Sequence, residues 1–379
     1  MRSIVWAFTE EPLRRFPLQG KGGVKNGTGS SMTTNAEVSQ KTSIRQALWD
    51  ALDLCINLRG IGWSWSPIRN FRLVTSQSRT KFLFKTAVRI AFHAIAIDVT
   101  KGISHAIAPE TTGQGTILDT NLPFPQRLFY AAVVACMLML TLHSTMQFIH
   151  DVSAFCFISG LGQDPAQWPP LFDRPWLSTS LREFWGKRWH QLFRGCFVSL
   201  GSRPFVVLSE KLSPPKVSAG SNRAKDGTQE GRPSRNPLFI LGAFFISGVF
   251  HYIGCRAFGK SHPVQIIGFF MMQGLGVILE EALMKRPTSH EPGLKPKHKL
   301  GRVWVVLWLL VWGIFFTDAC VQAGLLGISI FPESVKPLRV AQVVCCTITM
   351  RFARFVYPPP WVDLHILEKL LLPCTCDTR

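Results

Sequence analysis

Pro237-Leu238-Phe239-Ile240-Leu241-Gly242-Ala243-Phe244-Phe245-Ile246-Ser247-Gly248-Val249-Phe250-His251-Tyr252-Ile253-Gly254-Cys255-Arg256-Ala257-Phe258 is the stretch on which the fold turns. Its apolar residues follow one another without the polar stripe that a surface helix of a soluble protein carries, and its only formal charge is Arg256. A helix crossing the hydrocarbon core needs roughly 20 mostly apolar residues, which this run supplies. Working outward, Leu128 to Ile149, Val264 to Met284 and Val303 to Leu326 meet the same requirement. Two weaker runs accompany them. Phe82 to Val99 is broken by Lys85, Arg89, His93 and Asp98, and Val340 to Val356 carries Arg351 and Arg354 near its end. Both read as tilted, partly buried spans. The expected fold is all-α, a polytopic membrane helical bundle of about five to seven spans.

The formal net charge of +19, from 42 Lys and Arg against 23 Asp and Glu, is compatible with nucleic acid, anionic lipid or a polyanionic co-substrate. Placement decides among these. Lys285, Arg286, Lys295, Lys297, Lys299 and Arg302 crowd one connector with only Glu291 opposing, and Lys211, Lys216, Arg223, Lys225, Arg232 and Arg235 crowd the one before Pro237. Basic residues at the outer ends of apolar runs mark the cytosolic side, so Pro237 to Met284 reads as a hairpin with both ends cytosolic. A nucleic-acid partner is not expected. Of ten cysteines, Cys136, Cys156, Cys255, Cys320, Cys345 and Cys346 lie in or beside apolar runs and read as small apolar fillers, and no CxxC pair is present.

Ahead of the spans, Gly20 to Ser31 is rich in Gly, Ser, Thr and Asn, and residues 1–44 read as a flexible polar leader without a signal-peptide pattern. Residues 45–356 form the expected membrane domain, followed by a tail over 357–379. Ala47 to Leu58 reads as a helix ending at Arg59-Gly60-Ile61-Gly62-Trp63-Ser64-Trp65, a turn held at the membrane surface by its tryptophans.

Chemistry points to two histidines. In Leu181-Arg182-Glu183-Phe184-Trp185-Gly186-Lys187-Arg188-Trp189-His190-Gln191-Leu192-Phe193-Arg194, helical spacing puts Trp185, Trp189, Leu192 and Phe193 on one arc and Glu183, Lys187, Gln191 and Arg194 on the other. That is an interfacial amphipathic helix over 181–194, with His190 between the arcs. On this pattern alone His190 is either a functional group facing both water and lipid or an incidental member of a surface helix. His251 lies deep in its span with the small residues Ser247, Gly248, Gly254 and Cys255 at helical spacing. An ionisable residue there is a functional candidate or an interhelical hydrogen-bonding group. Moving an acyl group from a thioester to an alcohol requires a base for the hydroxyl proton and donors for the oxyanion, because a thiol of pKa about 8.5 leaves readily. A neutral imidazole can act as that base, and His251 is assigned the role. His143 and His150, Asp318, His93 and Asp98 read as interhelical pairing groups, with Asp318 a candidate to orient His251. No HxxHH box, HExxH, GxSxG or Walker loop is present, so no metal site is expected.

The motifs RGIGWSW at 59–65, LREFWGKRWHQ at 181–191 and FISGVFH at 245–251, with QDPAQWPPLF at 163–172 between the first two, resemble the fungal wax synthase-like branch of the membrane-bound O-acyltransferases over roughly residues 45 to 356. The resemblance implies a tunnel joining a cytosolic CoA entrance to an acceptor entrance from lipid, and transfer of acetyl from acetyl-CoA to a terpenoid or meroterpenoid alcohol in secondary metabolism. By it, His251 matches the catalytic histidine and His190 the second polar active-site residue, the two opening onto one cavity. Arg182, Trp185, Lys187, Arg188 and Trp189 fall on the CoA and acyl side. The implied co-substrate is acetyl-CoA or another acyl-CoA with no permanently bound cofactor, the partners are a lipophilic alcohol and the bilayer, and the location is the endoplasmic reticulum. Relatives usually carry further hydrophobic spans before the RGIGW motif, where this chain has its polar leader. Two other functions stand beside this one: a long-chain wax ester synthase, and a non-catalytic membrane scaffold or transporter component.

Overall fold

The computed structural model describes residues 43–57, 60–63, 78–108, 115–118, 120–212, 236–283, 298–337 and 339–340. Among these residues the regular structure is helical, with no strand. The longer helices are α1 (Ile44–Ile56), α2 (Arg79–Ile107), α3 (Phe124–Leu161), α4 (Arg203–Leu212), α5 (Pro237–Arg256), α6 (Pro263–Leu283) and α7 (His298–Gln322). The leader, Arg59, Ser64 and Trp65, most of both basic connectors, the run beyond Val340 and the tail lie outside the described residues.

Four helices, α3, α5, α6 and Lys299–Gln322 of α7, are long and apolar enough to cross a membrane. They coincide with the four strong spans expected from hydropathy. At 38 residues α3 is about 57 Å long, well beyond a hydrocarbon core of about 30 Å. Helix ends follow local chemistry. The Asn236 side chain accepts the Leu238 N–H at 2.9 Å ahead of α5, and Pro263 opens α6 where its missing N–H costs nothing. Past α7, Gly324 takes φ of 83°, the left-handed stop that glycine adopts without strain.

Helix α2 contains the weaker run Phe82 to Val99. Its polar residues Thr86, His93, Thr100 and Ser104 are buried, whereas Phe84, Val88, Phe92, Ile95 and Ile103 are exposed. This is the reverse of a soluble helix and the arrangement a helix in lipid adopts, with polar groups turned toward protein partners.

The chain divides into two compact units. One comprises the described residues of Met1–Phe82, Phe157–Phe250 and Ile267–Trp308; the other those of Leu83–Cys156, His251–Ile266 and Leu309–Arg379. In the second unit α2 and α3 are joined by polar contacts. Asp151, fully buried, accepts from Arg89 at 2.9 and 3.0 Å and from Gln147 at 3.0 Å. Thr100 and Thr141 meet at 2.8 Å, and the His93 and His143 rings lie 5.8 Å apart. Interhelical pairing is thus where His93 and His143 are found.

In the first unit, glycine lets helices approach closely. A Cβ on Gly201 would stand 2.1 Å from the Gly242 carbonyl oxygen, so the turn before α4 packs backbone to backbone on α5. Gly248 similarly admits Ile267 of α6.

The expected single helix over Leu181–Arg194 is replaced by a shorter device. Leu181–Glu183 is one α turn, Phe184–Arg188 is a π turn closed by the Trp189 N–H on the Phe184 carbonyl at 2.8 Å, and Trp189 leaves it in extended conformation with ψ of 150°. Helix resumes at Arg194–Phe197, and a second π turn, Val198–Ser202, leads into α4. The wider turn breaks the period of 3.6 on which the two expected arcs depend. The side chain of Gln191 then donates to the carbonyls of Trp185 and Trp189 at 3.0 and 2.7 Å, capping groups that a continuing helix would have used.

Candidate active site

The motif segment is locked at its N-terminal end before any aromatic contact is made. Ser180 accepts the Glu183 N–H at 3.0 Å, and Glu183 reaches back to the Thr179 N–H and hydroxyl at 2.8 and 3.0 Å, a reciprocal cap. The other Glu183 oxygen takes Arg188 at 2.7 and 2.8 Å. Arg188 also donates to the carbonyls of Asp173 and Arg174 at 3.1 and 3.4 Å. Arg174 is the one non-glycine residue with positive φ among those described, 43°. Partial burial pushes the Glu183 carboxyl up, but Thr179 and Arg188 outweigh it and hold the group below its usual range.

A second lock fixes this device onto α6 and α7. Glu280, buried in α6, accepts the backbone N–H of Leu181 at 2.6 Å and of Arg182 at 3.2 Å, and the Trp304 indole N–H at 2.8 Å. Gly276 leaves room for Leu181 and Trp308, whose atoms would lie 2.6 and 2.7 Å from a Cβ there. Gly301 does the same for the Thr179 carbonyl, at 2.4 Å. Glu280 was not among the expected site residues. Its sequence signal is a carboxylate seven residues from Gln273 within an apolar run, which puts both on one helical face.

From this base the tryptophans turn inward. The Trp185 ring lies 6.0, 6.4 and 6.2 Å from those of Phe244, Phe269 and Phe270, and its N–H reaches the Gln273 side-chain oxygen at 3.4 Å. Trp189 is buried against Phe172 at 4.9 Å and Phe184 at 5.3 Å. His190 is half-buried, with Phe172 and Phe193 presented edge to face at 5.9 and 6.4 Å. Phe193 and Phe197 in turn hold Phe250 of α5, the residue before His251, at 4.9 and 5.9 Å.

The residues expected to face CoA differ in their surroundings. Trp185 and Trp189 lie against aromatic rings, Arg188 donates to Glu183 and two carbonyls, and Arg182, though exposed, pairs with Glu281. Lys187 is exposed and, of these five residues, is the cation with no ion pair among the described residues. His251 belongs to the second unit, where it is half-buried. One turn beyond it, Cys255 and Cys320 sit 3.9 Å apart, sulfur to sulfur. Asp318 accepts from the Thr116 hydroxyl at 2.6 Å, the Ile117 N–H at 3.0 Å and the side chains of Gln322 and Gln265 at 2.7 and 3.5 Å. Those donors fill its carboxylate, which therefore organises the residue 116–117 segment and its own helix. Among the described residues no group of three or more His, Cys, Asp or Glu could hold a metal ion.

A family model described as "Membrane bound O-acyl transferase family" matches residues 168–272, a segment that holds both His190 and His251. The chain is similar to an acetyltransferase of Rhodocybe pseudopiperita, 27% identical over 282 residues that make up 72% of this chain and 66% of that protein. It is similar to an acetyltransferase of Hericium erinaceus, 25% identical over 313 residues, 79% of this chain and 74% of that one. An O-Mevalon transferase of Aspergillus niger is 25% identical over 268 residues, 66% of this chain and 56% of its own. The matched part thus spans between 56% and 74% of these relatives' length.

Proposed function

We propose that this chain is a membrane-bound O-acyltransferase that moves acetyl from acetyl-CoA onto a hydroxyl of a terpenoid or meroterpenoid, in the endoplasmic reticulum membrane. The observation that carries the reading is the likeness of residues 168–272 to an O-acyl transferase family, over the segment that contains both candidate histidines. The acetyltransferases among its relatives support the acetyl donor. Four apolar helices support a membrane setting, where a lipophilic acceptor dissolves.

In the mechanism, the neutral His251 imidazole accepts the acceptor's hydroxyl proton as the oxygen attacks the thioester carbonyl. The tetrahedral adduct collapses by breaking the carbon–sulfur bond, and the imidazolium returns its proton to the departing thiolate of CoA. His190 is the second polar group of the reaction, stabilising developing charge or holding substrate. Lys187, exposed, is the motif cation suited to the phosphates of CoA.

The test is transfer of labelled acetyl from acetyl-CoA to terpenoid alcohols by microsomes holding the full chain. His251→Ala is expected to lose about a hundredfold or more of the rate, the contribution of a positioned general base. Transfer by that variant at the wild-type rate would dispose of the mechanism. Preference for palmitoyl-CoA in direct competition would turn the reading toward a wax ester synthase.

A further inference from the structure

Gln273 is a polar residue that neither lock nor the proposed mechanism uses. It lies in α6, one position beyond the family match, and its side chain is fully buried. Its oxygen is spoken for. The Trp185 indole can only donate, so the contact at 3.4 Å fixes Oε1 toward Trp185 and turns the amide nitrogen the other way. That nitrogen, Nε2, is buried and has no hydrogen-bond partner among the described residues.

The surroundings are aromatic. Phe269 and Phe270 are buried, whereas Trp185 and Phe244, which meet at 6.0 Å, keep part of their surface exposed. Packing here is close: a Cβ on Gly274 would lie 3.1 Å from Phe244. An amide donor buried without an acceptor in a lipid-spanning helix is unfavourable unless something supplies an oxygen. Methionine or leucine would fill the same volume without that cost.

We propose that Gln273 Nε2 is a binding donor for an oxygen carried by an otherwise apolar ligand, with Trp185 holding the amide in its donating orientation. The identification of that ligand as a substrate rests on the acyl-transfer reading. The oxygen is then either the thioester carbonyl of the donor or the hydroxyl of the acceptor, and both present the same chemistry to the amide. Removing a donor to the acceptor's hydroxyl raises its KM and leaves kcat nearly unchanged, whereas removing one to the thioester carbonyl, whose oxygen takes the developing negative charge, lowers kcat as well.

The experiment uses the full chain in lipid nanodiscs, with acetyl-CoA and the sesquiterpene alcohol farnesol as probes, each read by its KM and by the rise in Tm it produces. Gln273→Met is expected to raise one of the two KM values about tenfold, the effect of one hydrogen bond, and to abolish the Tm rise given by that same probe. A change confined to acetyl-CoA identifies the carbonyl, and one confined to farnesol the hydroxyl. Gln273→Asn, which keeps the donor but draws it back by one methylene, is expected to fall between wild type and Gln273→Met. If Gln273→Met does not fold, Gln273→Asn takes its place. Unchanged KM values and Tm rises in a folded variant overturn the proposal. If the wild type turns nothing over, farnesol is not an acceptor and the Tm rises alone decide: a rise lost on substitution sustains the Gln273 site, and a rise retained, or none in the wild type, overturns it.

Discussion

Replacing Glu280 with alanine tests how the motif segment is held. The carboxylate accepts two backbone N–H groups and one indole N–H, and Leu181, the first donor, is fully buried. Each hydrogen bond to a charged acceptor contributes about 1.5–3 kcal/mol. The three do not add, and removing the carboxylate also removes its own desolvation cost, so the net loss is about 3–5 kcal/mol. That loss falls on the opening of residues 181–189, while the four spans keep their lipid-facing surfaces. Amide hydrogen exchange of the full chain in nanodiscs reads this opening directly, and Glu280→Ala is expected to lower protection over 181–189 about a hundredfold or more. Glu280→Gln keeps one acceptor oxygen and gives up the charge, so its loss is expected to be smaller, about tenfold. Protection in Glu280→Ala within threefold of wild type would show that the segment is held by something else.

Gly201→Ala forces a methyl group onto the Gly242 carbonyl oxygen at 2.1 Å, backbone that cannot rotate aside. It is expected to destabilise the first unit by about 1–3 kcal/mol, seen as a lower Tm and reduced yield in detergent, whereas Gly160→Ala, with open space around it, is expected to change neither. Because the Glu183 carboxyl is held below its usual range, its charged cap contributes stability above the unfolded pKa and loses it as pH falls through the lower folded value. Amide protection at Thr179 is therefore expected to drop on acidification below the ordinary carboxylate range, and Glu183→Gln to abolish that dependence.

The spans were readable because lipid imposes contiguous apolar sequence, as in Pro237 to Phe258, whatever the helix packs against. Helix α2 was legible only as a weak run: Lys85, Arg89 and His93 interrupt it, but that Arg89 and His93 meet Asp151 and His143 while Lys85 stays exposed is visible only in the structure. The motif was readable as a place but not as a shape. Its π turn depends on a bond between residues five apart, which no pattern of period 3.6 announces. Glu280 lies 99 residues from Leu181, and Gly276 and Gly301 matter only because Leu181 and Thr179 come to them. The pairing of Arg188 with Glu183 and of Arg182 with Glu281 was not legible either, because sequence displays charge without its local partners.

The π turn at Phe184–Arg188 makes the length of this segment a fixed quantity. Removing a single residue, Gly186 for example, would let the coil relax to the ordinary pitch, and everything after it would swing by about 100° around the axis. Trp189 would then leave its slot between Phe172 and Phe184, and His190 would turn with it. Point substitutions at Gly186, with nothing within 4 Å of a Cβ there, should be far better tolerated than its deletion.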